Sequence, residues 1–202
     1  MKEIIIATKN AHKAAEIAAI LPSDCVIRTL DDYPNIAPAE EPGRTFAANA
    51  AQKALALSEC VEGWVLADDS GLCVDALGGS PGILSARYAG DHGNDAANNR
   101  KLLGELWALQ GLAPFRARFV CALCLAKGGK VCAEFEGVLE GRITLEPRGT
   151  HGFGYDPLFV PEGYAATTLA ELPSEIKNSI SHRARALQQL AQWVRLQAGQ
   201  QS

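Results

Sequence analysis

Residues 3–21 carry the sequence EIIIATKNAHKAAEIAAIL, in which one hydrophobic pattern gives way to another. The apolar run from Glu3 to Thr8 predicts a buried strand, and Ala14 to Leu21 has the periodicity of a helix that ends at Pro22. The polar segment Thr8 to Lys13 joins the two. This strand–loop–helix unit indicates an α/β protein.

The rest of the chain extends the same pattern. Further helices are predicted over Thr45 to Glu59, Asn94 to Leu109 and Ser181 to Gln197, and further strands over Cys25 to Leu30, Trp64 to Ala67, Leu72 to Ala76, Phe115 to Ala126 and Lys130 to Leu145. The last two strands flank Lys127-Gly128-Gly129, which is typical of a hairpin turn. We therefore predict a mixed central β-sheet flanked by helices, in a single domain over residues 1–202, with two lobes around a cleft.

Composition excludes several classes of protein. The chain has 202 residues, a formal net charge of −4 and 48% hydrophobic residues, which argues against disorder or a fibrous repeat. Its apolar runs are too short to span a bilayer or to form a signal peptide. The mildly acidic balance provides no basic surface for a nucleic-acid polymer. We expect neither a membrane nor a polymer partner.

Six cysteines without an export signal predict reduced thiols and a cytoplasmic protein. Cys121 and Cys124 have CxxC spacing but lie in a predicted strand. Residues three apart on a strand point to opposite faces, so this pair is expected to be structural rather than a metal or disulfide site.

Two pairs of acidic residues are the strongest candidates for chemistry. Asp68 and Asp69 follow the apolar strand that ends at Ala67, and Glu40 and Glu41 lie in a Pro-rich loop. Adjacent carboxylates repel each other unless a cation lies nearby, and Mg²⁺ accepts a few carboxylates together with water and phosphate oxygens. The alternative is a solvated turn, which the Asp-Asp-Ser-Gly sequence also favours.

The first loop has the composition of an anion site. Thr8, Asn10 and Lys13 lie between a strand and the start of a helix, where backbone N–H groups and a lysine can receive a phosphate. The alternative is a simple connection in which Asn10 caps the helix.

Two late segments supply further candidates. Gly152 to Pro157 combines glycines, which let a ligand approach the backbone, with Phe153 and Tyr155, which could stack on a planar base. Lys177 and the segment Ser181-His182-Arg183 bring cations and an imidazole close together. The alternatives are a glycine-rich turn with core aromatics and solvated residues at a helix start.

A serine-hydrolase motif is excluded on chemical grounds. Gly78 to Gly82 matches the GxSxG pattern, which uses the N–H group of the residue after the serine. That residue is Pro81, which has no N–H group.

Together these segments resemble the inosine triphosphate pyrophosphatase family, of the Ham1/RdgB type. The similarity runs in order from residue 3 to about residue 195, and it rests on Thr8-x-Asn10-x-x-Lys13, Glu41 to Ala50 with Lys53, Ala67 to Leu72, Gly78 to Tyr88, Gly152 to Pro157 and Ser181 to Arg183. Departures are local: Lys9, Pro42, Ala48 and His151 replace residues that are common in the family.

The resemblance implies an enzyme that hydrolyses non-standard purine nucleoside triphosphates (ITP, dITP and XTP) to the monophosphate and pyrophosphate. It implies Mg²⁺ as cofactor and a homodimer as the assembly. Asp69 is the implied general base and a metal ligand, and Asp68 and Glu41, with Glu40 as the other candidate, are the remaining metal ligands. Implied substrate-binding residues are Thr8, Lys9, Asn10, Ala11, His12, Lys13, Lys53, Ser70, Phe153, Gly154, Tyr155, Asp156, Lys177, His182 and Arg183.

Two other functions stay open at this point. One is a pyrophosphatase of the related Maf-like architecture that acts on pyrimidine or modified nucleotides. The other is a nucleotide-binding module without turnover.

Overall fold

The computed structural model describes residues 3–22 and 25–199 of the chain. Its strands are β1 (Glu3–Ile6), β2 (Val26–Thr29), β3 (Val65–Val74), β4 (Phe115–Lys127), β5 (Lys130–Ile143) and β6 (Phe159–Pro161). Its helices are α1 (Ala11–Ile20), α2 (Phe46–Ser58), α3 (Asp95–Trp107), α4 (Ser174–Ile180) and α5 (His182–Gly199). No helix within the described residues has the length and apolar character needed to cross a bilayer.

All six strands belong to one sheet in the order β2-β1-β3-β4-β5-β6. β1 pairs in parallel with β2 and with β3, whereas β5 and β6 are antiparallel. The predicted mixed α/β fold, with a central sheet flanked by helices, is confirmed. Residues 1, 2, 23, 24 and 200–202 of the predicted single domain lie outside the described residues, and the single-domain assignment stays a prediction.

The helices begin within a few residues of their predicted starts, because capping residues mark those positions in the sequence. The Thr45 hydroxyl accepts a hydrogen bond from the Ala48 N–H group at 3.1 Å and caps α2, and the Asn94 side chain caps α3 in the same way. Asn10 accepts from the N–H groups of His12 and Lys13, so α1 begins at Ala11 rather than at the predicted Ala14. Unpaired N–H groups at a helix start explain each of these caps.

One prediction about β3 is wrong. The strand does not end at Ala67 but continues through Asp68, Asp69, Ser70 and Gly71 as far as Val74. Side chains that favour turns in water form part of a strand here because neighbouring cations neutralise the carboxylates, as described below. The alternative of a solvated Asp-Asp turn is excluded with it, since both aspartates are buried.

The chain divides into two compact units, and β3, β4 and β5 each contribute residues to both. The first unit consists of the described parts of Met1–Asp69, Cys121–Gly137 and His182–Ser202. The second unit consists of Ser70–Val120 and Val138–Ser181.

In the first unit, the sheet is covered by helices on both faces. One face packs against α2 and includes Ala67 and Cys124, while the other packs against α1 and α5 and includes Leu66 and Cys121. Cys121 and Cys124 therefore lie on opposite faces, as predicted, and none of the six cysteines, all of which lie within the described residues, forms a disulfide bond.

The second unit has its own apolar core. Leu102 and Leu106 of α3 pack with strand residues such as Leu72 and Phe115, and the rings of Phe119 and Phe159 lie 4.7 Å apart. This core fixes α3 and the segment Asp156–Leu158 in one unit, which matters for the second cluster described below.

Candidate active site

Asp68 and Asp69 point to opposite faces of β3. Successive side chains on a strand alternate, so Asp69 shares the α2 face with Ala67, while Asp68 shares the α1 and α5 face with Leu66. Both carboxylates are buried, with 2% and 7% of the residue exposed. The carboxylates of Asp68 and Asp69 therefore lie in two different environments.

On the α2 face, Lys53 joins two carboxylates. Its Nζ donates to Asp69 Oδ1 at 3.0 Å, to Glu41 Oε1 at 2.8 Å and to the backbone oxygen of Asp68 at 2.9 Å. Asn49, one helical turn before Lys53, donates its Nδ2 to Asp69 Oδ2 at 3.1 Å. Glu41 and Asp69 thus converge on one point, which an ammonium group fills.

The surroundings of Asp69 on this face raise the pKa of its carboxyl group. Burial raises the pKa of the Asp69 carboxyl and Glu41 raises it further, although Lys53 and Lys13 act in the opposite direction. Burial lowers the pKa of Lys53, but Asp69 and Glu41 outweigh it and leave that pKa above its ordinary value. A buried carboxylate with a raised pKa and fixed oxygens is a suitable proton acceptor.

On the other face, the Asp68 carboxylate lies between two cations. Asp68 Oδ2 accepts from Arg183 Nε at 2.8 Å and from the Cys121 thiol at 3.2 Å, and its Oδ1 accepts from Lys13 Nζ at 2.7 Å. Arg183 is itself 1% exposed and also pairs with Glu16. Burial alone would raise the pKa of Asp68, but Arg183 and Lys13 hold it well below its ordinary value.

Gly137 on β5 lets the start of α5 approach the sheet. A Cβ atom at this position would lie 2.0 Å from the His182 oxygen and 2.6 Å from the Ala186 nitrogen. The absence of a side chain therefore permits this close approach of the start of α5, which carries the buried residues His182 and Arg183.

The loop before α1 lines a pocket of about 180 Å³, which is bounded by Thr8, Lys9, Asn10, Ala11, Ala14, Thr29 and Asp31. Asn10 acts as the helix cap, so the structural interpretation of this residue is confirmed. The cap occupies the N–H groups of His12 and Lys13, which leaves the lysine side chains of Lys9 and Lys13 as the groups best suited to an anion.

A second cluster lies in the second unit, around Asp156. Its Oδ2 accepts from the Phe153 N–H group at 2.9 Å and from Lys177 Nζ at 2.5 Å. Lys177 Nζ also lies 4.9 Å from the centre of the Phe153 ring. A Cβ atom on Gly152 would come within 2.1 Å of Asp156 Oδ2, so this glycine is required for the close approach.

The predicted site residues thus fall into two groups. In the first unit the structure brings together Lys13, Glu41, Lys53, Asp68, Asp69 and Arg183; in the second it brings together Phe153, Gly154, Tyr155, Asp156 and Lys177. Ser70 follows Asp69 on β3 and belongs to the second unit. Glu40 is exposed at the surface, whereas its neighbour Glu41 reaches Lys53.

Sequence reasoning missed Asn49, Glu16 and Cys121. Asn49 lies four residues before Lys53 on α2, a spacing that places both side chains on one face of the helix and could have signalled the contact. Glu16 and Cys121 carry no such signal, because their partners Arg183 and Asp68 are distant in the chain.

Among the described residues, no group of three or more His, Cys, Asp or Glu side chains is arranged as a ready metal site. The pair Glu41 and Asp69 nevertheless fits Mg²⁺, because their oxygens already converge on a cation, and this ion commonly takes one or two protein carboxylates together with water and phosphate oxygens. Asp68 fits less well, since each of its two oxygens already pairs with a cation, Lys13 on one and Arg183 on the other.

The fold is mixed α/β, and its first unit holds a buried cluster of carboxylates and lysines together with a pocket at the start of α1. The chain belongs to the Ham1 family, whose model matches residues 4–193. It is 50% identical over 195 residues to a dITP/XTP pyrophosphatase of Halalkalibacterium halodurans, covering 96% of this chain and 100% of the relative. It is also 50% identical to the dITP/XTP pyrophosphatase of Geobacillus kaustophilus, with 98% of each chain covered. The solved Ham1 protein of Staphylococcus aureus superposes with a TM-score of 0.85 at 37% identity, over 97% of this chain and 100% of that one.

Proposed function

We propose that this protein hydrolyses non-standard purine nucleoside triphosphates, namely ITP, dITP and XTP, to the monophosphate and pyrophosphate. The observation that carries the proposal is the Asp69 carboxylate. It is buried, Lys53 and Asn49 hold its two oxygens, and its pKa is raised above the ordinary value. The names of relatives that match nearly the whole chain support the same substrate class.

Asp69 acts as the general base in this proposal. Hydrolysis between the α and β phosphates requires a water molecule to attack the α-phosphorus, and a positioned carboxylate orients that water and takes its proton. Two fixed donors, Lys53 and Asn49, hold the Asp69 oxygens in place, which keeps the base in one orientation. No covalent nucleophile is needed, and the free cysteines have no role in the reaction.

The lysines of the first unit neutralise charge on the phosphates. Lys13 and Lys53 are largely buried, with 17% and 12% of the side chain exposed, so their interaction with a phosphate is weakly screened by solvent. Thr8 to Ala11 border the pocket described above, and Lys9 adds a further cation there. Charge that develops on the pyrophosphate leaving group is stabilised by such fixed cations.

Glu41 and Asp69 are the residues that would hold Mg²⁺, with Glu40 and Asp68 as the less suitable candidates from the sequence. When bound, the ion supplies positive charge that stabilises the phosphate oxygens during cleavage. Asp68 serves mainly as the counter-ion that keeps Lys13 and Arg183 in position.

Base recognition is assigned to residues of the second unit: Phe153, Gly154, Tyr155, Asp156 and Lys177. Ser70, His182 and Arg183 stay predicted substrate-binding residues from the sequence. An aromatic ring offers a stacking surface, and the buried Asp156–Lys177 pair offers a fixed pattern of donors and acceptors. A site built for a 6-keto purine leaves polar groups unpaired when adenine binds, so it rejects ATP.

We also propose a homodimer in the cytoplasm. Trp107 and Leu112 of the second unit are 54% and 64% exposed, and apolar side chains of this kind are often covered by a second subunit. Six cysteines without a disulfide bond are consistent with a reducing compartment. The net charge of −4 supports free nucleotides, rather than nucleic-acid polymers, as the substrates.

A panel of nucleoside triphosphates, assayed with Mg²⁺ for pyrophosphate and orthophosphate separately, tests the proposal. We expect pyrophosphate as the first product, and ITP and XTP preferred to GTP and ATP by about ten- to two-hundred-fold. Orthophosphate as the first product, or ATP cleaved as fast as ITP, would contradict it. A preference for pyrimidine nucleotides would indicate the Maf-like alternative, and binding without turnover would indicate a binding module.

A further inference from the structure

Helix α3 holds the backbone of Gly154 at two points. The Asp95 Oδ2 atom accepts a hydrogen bond from the Gly154 N–H group at 2.7 Å, and the Asn99 Nδ2 atom donates to the Gly154 carbonyl oxygen at 3.0 Å. The two bonds engage the peptide groups on either side of the Gly154 Cα atom. Both peptide planes next to this residue are therefore fixed by one helix.

The helix that makes these contacts is rigidly placed. Asp95 and Asn99 are four residues apart, so they lie on the same face of α3, one turn from each other. Asn94 caps the helix start, and Leu102 and Leu106 anchor it in the core of the second unit with no exposed surface. A carboxylate and an amide on such a helix form a stiff support.

Without these two hydrogen bonds, the backbone of the predicted base-binding segment could rotate at Gly154. Its φ of +62° lies in the left-handed region that favours glycine. On one side, the Phe153 N–H group is bonded to Asp156; on the other, the Tyr155 hydroxyl donates to the Ser85 oxygen at 2.9 Å. Rotation at Gly154 would move the Phe153 ring relative to the Asp156 carboxylate.

We propose that Asp95 and Asn99 are positioning residues for base selection. By fixing both peptide groups of Gly154, they set the distance between the ring that stacks on the base and the Asp156–Lys177 pair that reads its edge. Neither residue needs to touch the nucleotide. The inference rests on the proposed function, because it assigns these residues to the base site of that reaction.

Asp95 also lies in the first turn of α3, where a carboxylate stabilises the helix by itself. The Asp95→Glu variant keeps this charge but displaces the carboxylate by one methylene group, so it separates positioning from helix stability. Asn99→Asp keeps the shape of the side chain and replaces the donor with a group that repels the Gly154 oxygen. Arg100→Ala, an exposed change on the same helix, is the matched control.

The experiment compares the kcat/KM ratio of ITP to ATP, the melting temperature and the hydrogen exchange of the Gly154 amide in these variants. We expect the ratio to fall by about tenfold in Asp95→Glu and Asn99→Asp, because a site that is no longer fixed discriminates less. We also expect faster exchange at Gly154, and Arg100→Ala should match the wild type in each measurement.

An unchanged ratio together with faster exchange at Gly154 would overturn the inference, and so would a lower melting temperature without any change of ratio. If the wild type itself does not prefer ITP, the proposed function fails instead. The two failures are distinguishable because the wild-type ratio is measured first.

Discussion

Replacing Gly137 with alanine tests whether the start of α5 positions the candidate site. The added Cβ atom would lie 2.0 Å from the His182 oxygen and 2.6 Å from the Ala186 nitrogen. Both are backbone atoms, so no side-chain rotation relieves the contact. Moving the His182 oxygen from 2.0 to 3.0 Å, the limit below which real Cβ contacts are essentially absent, requires a shift of 1.0 Å.

A shift of this size would separate the ion pair between Arg183 on α5 and Asp68 on β3. The Arg183 Nε–Asp68 Oδ2 distance is 2.8 Å, and a retreat of the helix by 1 Å would lengthen it to about 3.8 Å, beyond hydrogen-bond range. Overpacking costs about 1–3 kcal/mol, and loss of a hydrogen bond to a charged group costs about 1.5–3 kcal/mol. We therefore expect the free energy of unfolding to fall by about 2.5–6 kcal/mol.

Urea unfolding of the purified protein measures this change. Gly104→Ala is the control, because Gly104 lies inside α3 with nothing near its missing Cβ atom, so alanine there should stabilise by about 0.5–1 kcal/mol. A Gly137→Ala variant within about 0.5 kcal/mol of the wild type would refute the reasoning, since such a value is the effect of an ordinary surface change.

Three further predictions concern the carboxylates. Asp69→Asn should retain nucleotide binding but lose about 10²–10⁴-fold in turnover, as measured by steady-state kinetics and calorimetry, because the general base is removed. Chelation should abolish activity and Mg²⁺ should restore it. The Glu41→Gln variant should need a higher Mg²⁺ concentration for that recovery, and full turnover in excess EDTA would contradict the metal role. Asp68→Asn should lower the free energy of unfolding by about 3–5 kcal/mol at neutral pH, because it removes the buried carboxylate charge that faces Arg183 and Lys13. The folded-state pKa of Asp68 is below its ordinary value of 3.8, so the wild type should lose this stability as the pH falls below 3.8. The difference in unfolding free energy between the wild type and Asp68→Asn should then shrink. A constant difference from pH 7 to pH 3 would show that the Asp68 charge is not its cause.

Most of the fold was predictable because its signals are local. Thr45 and Asn94 mark helix starts through their own side chains, and the glycines after Lys127 supply the positive φ angles, +57° and +72°, of the hairpin turn. Short elements such as β6 and α4 were missed, since three to seven residues do not establish a period.

The wrong prediction at β3 has a different cause. Asp68 and Asp69 favour turns when water is their only partner. Asp68 is bonded to Arg183, 115 residues away in the chain, and Asp69 to Lys53, 16 residues away. The local sequence around the aspartates does not indicate either partner. The same distance explains why sequence reasoning could name both aspartates but could not place them on opposite faces of the sheet.

The separation of the two faces gives a physical reason why Asp69, rather than Asp68, is the proposed base. On the α1 and α5 face, the carboxylates of Asp68 and Glu16 are matched by the charges of Lys13 and Arg183. On the α2 face, the Glu41 and Asp69 carboxylates both accept from Lys53 Nζ, so two anions lie close to each other. Two neighbouring carboxylates disfavour each other's charged form, and a proton or a divalent cation relieves that repulsion. The pKa directions agree, since that of Asp69 is raised and that of Asp68 is lowered. A carboxylate held between two cations, as Asp68 is, has little tendency to take a proton from water, so we expect the chemistry on the α2 face, at Asp69.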